Sequence, residues 1–310
     1  MIALDRLSAR RKPVSIKSVT IDWGPGIHAV VGTPGDGCSL LLALIVGAAR
    51  PRVGKVRVLD GAPTDARVRP QIARVGIDPS LPDALRVDEA LALASTLRGE
   101  PPRAASERLS VLGLEALSRR PVDSLSRQEA RGVALAEAVT SSRVRVVVVD
   151  EPFSSNDARA ASRIIEALRA KSRSGCVVVV ATASLRDAGE LADDYVLLRA
   201  GAILGKTTSV RALARMAPGG ARLTILARDA LEAKRLVAAL AGESDVAGVE
   251  LEANTVKVRG PDPVTLARAA GRAASEAHVD VVEIRAEPPS LAEARAAVAI
   301  EPANALPVAP

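Results

Sequence analysis

The sequence predicts an α/β fold followed by a smaller α+β unit, and three features of the chain indicate this. Valine-rich runs at 146–149 and 177–180 are apolar throughout, which is typical of strands buried on both faces of a mostly parallel sheet. A glycine-rich loop at 32–37 lies between an apolar strand and an apolar helical stretch. After residue 206 the pattern changes to the element order βαββαβ. A chain of 310 residues is long enough for both units.

The larger unit is expected to span residues 1–206. Its β-prone segments are bounded by polar residues or turns and lie at 14–19, 27–31, 53–59, 144–149, 177–181 and 195–198. Between residues 87 and 139 alanine and leucine recur with helical spacing, which predicts a helical insert at about 84–140.

The smaller unit is expected at 221–300. Its predicted elements follow the ferredoxin-like order βαββαβ, with a strand at 222–227, a helix at 229–242, a hairpin at 246–251 and 255–258, a helix at 263–278 and a strand at 279–285. A closing helix is expected at 291–298. The last ten residues, 301–310, are rich in alanine and proline, and we expect them to be disordered.

Composition excludes several classes of protein. The formal net charge is +6, but aromatic residues are 1% of the chain and the charges are scattered, so we expect no nucleic-acid partner. Two cysteines give neither a disulfide framework nor metal-ligand spacing. No apolar run approaches the roughly 20 residues that span a bilayer. The basic cluster at 10–12 is followed by no apolar segment, which excludes a signal peptide. We expect a cytoplasmic or peripheral chain.

The glycine loop carries the most informative motif. Residues 32–39 read Gly-Thr-Pro-Gly-Asp-Gly-Cys-Ser, which matches the phosphate-binding pattern G-x-x-x-x-G-K-[ST] except that Cys38 stands where the lysine belongs. That lysine normally contacts the β and γ phosphates. No lysine or arginine occurs from Ser18 to Ala49, so no cation nearby in the sequence replaces it.

Further motifs follow in order along the chain. The apolar run 146–149 ends in two carboxylates, Asp150 and Glu151, and Asp157 lies shortly after them. Upstream, residues 125–129 read Leu-Ser-Arg-Gln-Glu and precede an apolar helical stretch. The order and spacing of these motifs are far more specific than any one of them.

Taken together, residues 1 to about 206 resemble the ATP-binding subunit of an ABC transporter, a P-loop NTPase with an ABC-type ATPase fold. The smaller unit resembles the tail domain of ATPase subunits of type-2 ABC exporters. The resemblance implies a nucleotide-binding set of Gly32, Gly35, Gly37, Cys38, Ser39, Ser80, Asp150 and Ala183. It implies magnesium ligation by Ser39 and Asp150, a water-polarising Glu151, a D-loop residue Asp157, and a signature loop of Leu125, Ser126, Arg127, Gln128 and Glu129.

The sequence departs from the family pattern at most of these motifs. The signature loop has Arg127 and Gln128 where the family has two glycines, and Glu129 where it has glutamine. Ser80 stands where the lid loop carries glutamine, and Ala183 stands where the switch carries histidine. No aromatic residue precedes Trp23, so the adenine-stacking residue is absent as well.

These losses predict a degenerate, non-hydrolysing subunit in which Glu151 is vestigial and ATP with magnesium binds weakly at most. As the resemblance implies, it would pair with an identical or different ATPase subunit beneath integral-membrane permease chains, on the inner face of the cell membrane. Two alternatives remain. One is an active ATPase with unorthodox motifs, and the other is a scaffold or regulator that reuses the fold outside transport.

Cys38 also has two interpretations. A thiol at a helix N-terminus can have a lowered pKa and act as a redox switch. Alternatively, a small residue simply fills a site that no longer needs lysine. We favour the second interpretation, because Cys176 has no evident role as a resolving partner.

Overall fold

A computed structural model of the chain describes residues 1–101, 103–153, 158–209, 221–260 and 263–287. The chain divides into two compact units, one comprising 1–183 with 187–208 and the other 184–186 with 209–310. Asp157, the predicted helix at 291–298 and the predicted tail at 301–310 lie outside the described residues.

A six-stranded sheet forms the centre of the larger unit. Its order is β5-β6-β7-β3-β8-β9, and every pair is parallel except β8 with β9. The strands are β3 Gly26–Val31, β5 Ile72–Val75, β6 Val146–Asp150, β7 Val177–Thr182, β8 Asp194–Arg199 and β9 Ala202–Thr207. Strands β6 and β7 are buried at every residue, as the continuous valine runs predict.

A second, antiparallel sheet of order β2-β1-β4 belongs to the same unit. It comprises β1 Ile2–Arg11, β2 Val14–Trp23 and β4 Val53–Val58. Strand β1 is not predicted from the sequence. Its pairing with β2 shifts register between Leu4 and Leu7 and again between Leu7 and Ala9, so its apolar residues do not alternate regularly.

Five α-helices lie wholly in the described part of this unit: α1 Cys38–Ile45, α2 Val87–Arg98, α3 Ala105–Ser110, α4 Arg127–Thr140 and α5 Ala158–Arg173. A further helix, α6 Leu185–Leu191, belongs to this unit from residue 187 onward. Helix α1 is buried at seven of its eight residues and packs in one apolar cluster with both sheets. Helices α2 to α4 lie within residues 84–140, where the sequence predicts a helical insert.

The register of the parallel strands brings three strand ends together. Val31, the last residue of β3, pairs with Thr182, the last residue of β7. Asp150, the last residue of β6, pairs with Ala181 beside it. In open α/β sheets, ligands bind outside the carboxyl ends of the strands. The candidate site therefore lies where the glycine loop, Glu151 and Ala183 follow these three ends.

The smaller unit has an antiparallel sheet of order β11-β12-β10-β13 and its own apolar core. Its elements are β10 Ala221–Ala227, α7 Ala230–Leu240, β11 Gly248–Glu252, β12 Thr255–Gly260, α8 Pro263–Glu276 and β13 Val281–Glu287. The order βαββαβ and the ferredoxin-like fold class agree with the sequence prediction. Within the part of the chain that the structure describes, no helix is both long and apolar enough to cross a bilayer.

Candidate functional site

The glycine loop joins β3 directly to α1 and leaves no room for larger residues at two positions. A Cβ atom placed on Gly32 would lie 2.7 Å from the Cys38 Sγ and 2.8 Å from the Leu198 carbonyl oxygen. Gly37 has φ of 108°, where an L-residue is strained, and its Cβ would lie 2.9 Å from a side-chain carbon of Ile16. These contacts fix glycine at both positions, so the loop keeps the compact shape that its motif predicts.

Asp36 holds the loop from within. Its carboxylate accepts hydrogen bonds from the Thr33 N–H at 2.8 Å, from the Thr33 hydroxyl at 2.6 Å and from the Ala200 N–H at 3.0 Å. The residue is buried, and three donors satisfy its carboxylate oxygens. Asp36 therefore stabilises the loop and ties it to the β8–β9 turn.

Cys38 begins α1 with its side chain buried against Gly32. Burial raises the pKa of the Cys38 thiol, and the negative charges of Asp36, Asp150 and Glu151 raise it further. A buried thiol among carboxylates is a poor nucleophile, because reaction requires the thiolate. This environment favours the packing interpretation of Cys38 over the redox switch.

Glu151 is bound to the end of β7. Its carboxylate accepts hydrogen bonds from the Ala183 N–H at 2.9 Å and from the Thr182 hydroxyl at 3.2 Å. Burial raises the pKa of the Glu151 carboxyl, while these two hydrogen bonds act in the opposite direction. The switch position thus contacts the carboxylate through its backbone amide, since alanine has no side-chain donor.

Arg131 positions the backbone that carries Asp150 and Glu151. From the first half of α4, its buried guanidinium donates to the Asp150 carbonyl at 2.8 Å and to the Glu151 carbonyl at 2.6 Å. Glu151 has φ of 51°, an uncommon conformation for a residue other than glycine. Arg131 offsets the cost of that conformation by binding both adjacent carbonyl groups. No motif in the sequence predicts this role of Arg131.

The signature residues 125–129 are largely helical. Arg127, Gln128 and Glu129 form the first turn of α4, and Ser126 is its N-cap. The Ser126 hydroxyl accepts from the Glu129 N–H at 3.2 Å, and the Glu129 carboxylate accepts from the Ser126 N–H at 2.8 Å. In this reciprocal capping box the Ser126 hydroxyl acts as an acceptor and keeps its own O–H as a donor. Arg127 forms an ion pair of 2.8 Å with Asp78, and both side chains are exposed.

A cavity of about 380 Å³ lies over the glycine loop. Of the predicted nucleotide-binding residues, it brings together Gly32, Gly35, Gly37, Cys38, Ser39 and Asp150, with Glu151 beside them. Ser80 lines a different cavity, of about 550 Å³, between the lid loop and α2. Ala183 contacts Glu151 and does not line the cavity over the loop.

Three cations that the sequence did not predict for this site also line the cavity over the loop. Arg11 and Lys12 come from the end of β1 and its turn, and Arg74 comes from β5. All three are exposed. They are distant from residues 32–39 in the sequence, so only the pairing of strands brings them to the loop.

The cavity is large enough for a phosphate ligand, but its donor set differs from that of the motif. Its volume lies in the range of roughly 300–1,000 Å³ that small-molecule sites occupy. Ser39 and Asp150 would hold magnesium, which prefers oxygen ligands and usually keeps several waters and substrate phosphates. Within the described residues, no group of three or more His, Cys, Asp or Glu side chains is arranged to hold a metal ion. Magnesium binding there would therefore depend on the phosphate ligand.

Sequence comparison identifies the larger unit. Residues 17–154 match the sequence profile of the ABC transporter family. A protein of Streptomyces avermitilis named as an ABC transporter ATP-binding protein is 33% identical over 217 residues, which are 67% of this chain and 38% of that protein. A molybdenum import ATP-binding protein of Mycobacterium tuberculosis is 34% identical over 193 residues, 57% of this chain and 52% of that protein. The chain thus spans between about a third and a half of the length of these relatives.

Solved structures show the same fold. An ATP-binding subunit of an ABC transporter superposes with a TM-score of 0.61 at 23% identity, over 67% of this chain and 90% of that chain. A dimeric ATP-binding cassette with ADP and Pi superposes with a TM-score of 0.59 at 20% identity, over 67% of this chain and 98% of that chain. Residues 17–154 match the family profile, and the solved structures share the fold. The larger unit of this chain therefore belongs to the ABC transporter family as an ATP-binding domain.

Proposed function

We propose that the chain is a subunit of a membrane transport complex that keeps the cassette fold but does not hydrolyse ATP. One observation carries this proposal: at the candidate site, the Glu151 carboxylate and the Cys38 thiol contact other groups of the protein. Glu151 is bound by Ala183 and Thr182, and Cys38 is buried beneath Gly32. Neither arrangement provides a cation for the γ phosphate or a side chain that senses it.

The missing groups are those that stabilise charge in phosphoryl transfer, where catalysis depends on positioning and electrostatics. Removing one preorganised donor to a developing anion commonly costs about 100-fold to 1,000-fold in rate. This chain lacks the loop lysine, the switch histidine and the two glycines of the signature loop. Combined losses of this size support a subunit without measurable turnover.

We place the permease contact at the cavity of about 550 Å³ beside α2. Leu93 and Leu97 line it with 42% and 73% of their surface exposed, and Pro70, Leu81 and Pro82 add further apolar surface. Exposed apolar side chains that converge on a concave surface are typical of protein-binding sites. A short apolar segment of a permease chain fits this groove.

The dimer partner is a second cassette subunit, identical or different, and the complex would hold this chain on the inner face of the cell membrane. A solved structural neighbour is itself a dimeric cassette.

The ferredoxin-like order of the smaller unit favours an export complex, whereas relatives from Rubrobacter xylanophilus and Mycobacterium tuberculosis are named for import of ribose and of molybdenum. A transport assay in vesicles of defined orientation decides the direction.

The proposal is tested by complementation in cells together with pull-down of the permease. Leu97→Glu places a charge in the groove and is expected to abolish permease capture and transport. Val53→Glu changes an apolar residue of similar exposure, 62%, outside the groove and serves as the matched control. Asp150→Ala and Glu151→Ala are expected to be tolerated. If these two variants fail while Leu97→Glu works, the chain is an active ATPase and the proposal is wrong.

One observation favours the alternative of an active ATPase. The Glu151 carboxyl, whose pKa is raised by burial, lines the cavity over the glycine loop and is placed to act as a general base there. In that case both Glu151→Gln and Glu151→Ala would abolish turnover and complementation. The scaffold alternative instead predicts that no permease chain is captured by the wild-type protein.

A further inference from the structure

The cations Arg11, Lys12 and Arg74 at the cavity over the glycine loop are not committed elsewhere. All three side chains are exposed, and within the described ranges they form no hydrogen bond or ion pair. Most exposed lysine and arginine side chains of a protein point into open solvent. These three instead converge on one concave surface, which also includes the backbone of Gly35 and Gly37.

Strand pairing places Arg74 next to the phosphate loop. Arg74 pairs with Val148 on β6, two residues before Asp150. Side chains two residues apart on a strand lie on the same face, with a rise of about 3.3 Å per residue, so Arg74 and Asp150 emerge on the same side of the sheet as neighbours. Val148 packs in the same cluster as α1, which identifies this face as the one that α1 covers. Arg74 is thus a cation on the face where the loop lysine would extend.

The charges of the cavity favour an anion. Arg11, Lys12 and Arg74 face two carboxylates, Asp150 and Glu151, and Glu151 already accepts two hydrogen bonds. The remaining carboxylate near the loop, Asp36, accepts three hydrogen bonds and does not line the cavity. The uncommitted side-chain charge at the surface of the cavity is therefore predominantly positive.

The described residues that line the cavity offer no comparable contacts to a nucleotide base. No described residue that lines the cavity is aromatic. Trp23 and Tyr195 are almost completely buried, and Trp23 stacks on His28. Stacking of a base on an aromatic side chain contributes about tenfold or more to affinity where it occurs. A nucleotide in this cavity would have to be held mainly through its phosphates.

We propose that Arg74, assisted by Arg11 and Lys12, supplies the phosphate-binding cations that the loop lacks, so that the cavity selects for a di- or triphosphate group and not for the nucleotide base. This inference deepens the proposed function and rests on it for the identity of the site. It concerns binding alone, and no bond is formed or broken. Nucleotides and inorganic polyphosphates share the recognised group, and the experiment separates them.

The test is isothermal titration calorimetry of the full chain with ATP, inorganic triphosphate and adenosine, in the presence of magnesium. Inorganic triphosphate and ATP are expected to bind with Kd values within about fivefold of each other, because base stacking is missing. Adenosine is expected not to bind. Arg74→Gln is expected to weaken both phosphate ligands about tenfold or more, as loss of one charge-assisted contact does. Arg74→Lys should restore most of the affinity.

Arg57→Gln is the matched control, since Arg57 is also an exposed strand arginine but does not line the cavity. The joint change of Arg11 and Lys12 to glutamine is expected to weaken binding about two- to fivefold, the range for exposed charges. Unfolding curves of each variant establish that it is folded.

Three results would overturn the inference: no binding of either phosphate ligand at millimolar concentration, equal affinity of the Arg74→Gln and Arg57→Gln variants, or ATP binding more than about 30-fold tighter than inorganic triphosphate. Each outcome is independent of turnover. A magnesium-dependent ATPase rate would instead contradict the proposed function and leave the phosphate contacts of Arg74 intact.

Discussion

Cys38 differs from lysine in length, charge and hydrogen-bonding capacity, and each difference changes the phosphate loop. The thiol ends beneath the loop against Gly32, whereas a lysine there would extend into the cavity. Asp36, Asp150 and Glu151 surround the thiol with negative charge. At the residue scale, this substitution converts a ligand contact into a packing contact.

The burial of Cys38 predicts a protected thiol. In a Cys176→Ser background, alkylation at pH 8 is expected to be at least about tenfold slower in the native protein than in urea, because the pKa of Cys38 is raised and the thiolate is scarce. The rate is measured by mass spectrometry over time. A native thiol that reacts as fast as the unfolded one would revive the redox interpretation.

Restoring the lysine tests whether the loop still has its phosphate-binding shape. Cys38→Lys is expected to strengthen ATP binding about tenfold or more, since one charge-assisted contact is added. Turnover is expected to stay absent, because Ser80 lies away from the cavity and Ala183 has no side-chain donor. Calorimetry and a phosphate-release assay measure the two effects, with Cys38→Ala as the control for side-chain size. Unchanged affinity would show that the loop no longer binds phosphate.

At the scale of elements, helix α4 carries two arginines of very different importance. Arg131 is buried and donates to the Asp150 and Glu151 carbonyls, whereas Arg127 forms an exposed pair with Asp78. Exposed ion pairs contribute about 0–1 kcal/mol, but removing a buried charged donor leaves its acceptors unpaired at a cost of about 1–3 kcal/mol.

Arg131→Ala is therefore expected to lower the free energy of unfolding by about 2–4 kcal/mol, and Arg127→Ala by less than about 1 kcal/mol. Urea denaturation followed by circular dichroism measures both. Equal effects for the two variants would mean that the contacts of Arg131 do not hold the end of β6.

The elements differ in how far the sequence predicts them. Continuous valine runs predict β6 and β7 well, because strands buried on both faces need no alternation. Strand β1 is missed because its register shifts break the alternating pattern, and β5 is only four residues long. The glycine loop and Asp150 are predicted at the site by motif spacing. Arg11, Lys12, Arg74 and Arg131 are not predicted, since strand pairing and helix packing bring them there over long sequence separations.

At the scale of the whole molecule, each unit has its own apolar core. Of the residues in the nucleotide motifs, Cys38 belongs to the core cluster of the larger unit, whereas Ser39, Glu151 and Ala183 do not. The buried valines of β6 and β7 and the leucines of α1 supply the packing. Loss of the catalytic groups would therefore leave the fold and the proposed partner-binding surface intact, which is the physical basis of the proposed function.

ATP turnover by the purified full chain is the decisive measurement of whether this subunit hydrolyses ATP. Wild-type protein and the Glu151→Gln variant are assayed side by side for magnesium-dependent phosphate release, with an intact cassette ATPase as the positive control. A non-hydrolysing subunit is expected to give equal rates in the two samples, neither above the rate without protein. A wild-type rate more than about tenfold above that of Glu151→Gln, equivalent to about 1.4 kcal/mol of transition-state stabilisation, would contradict this expectation.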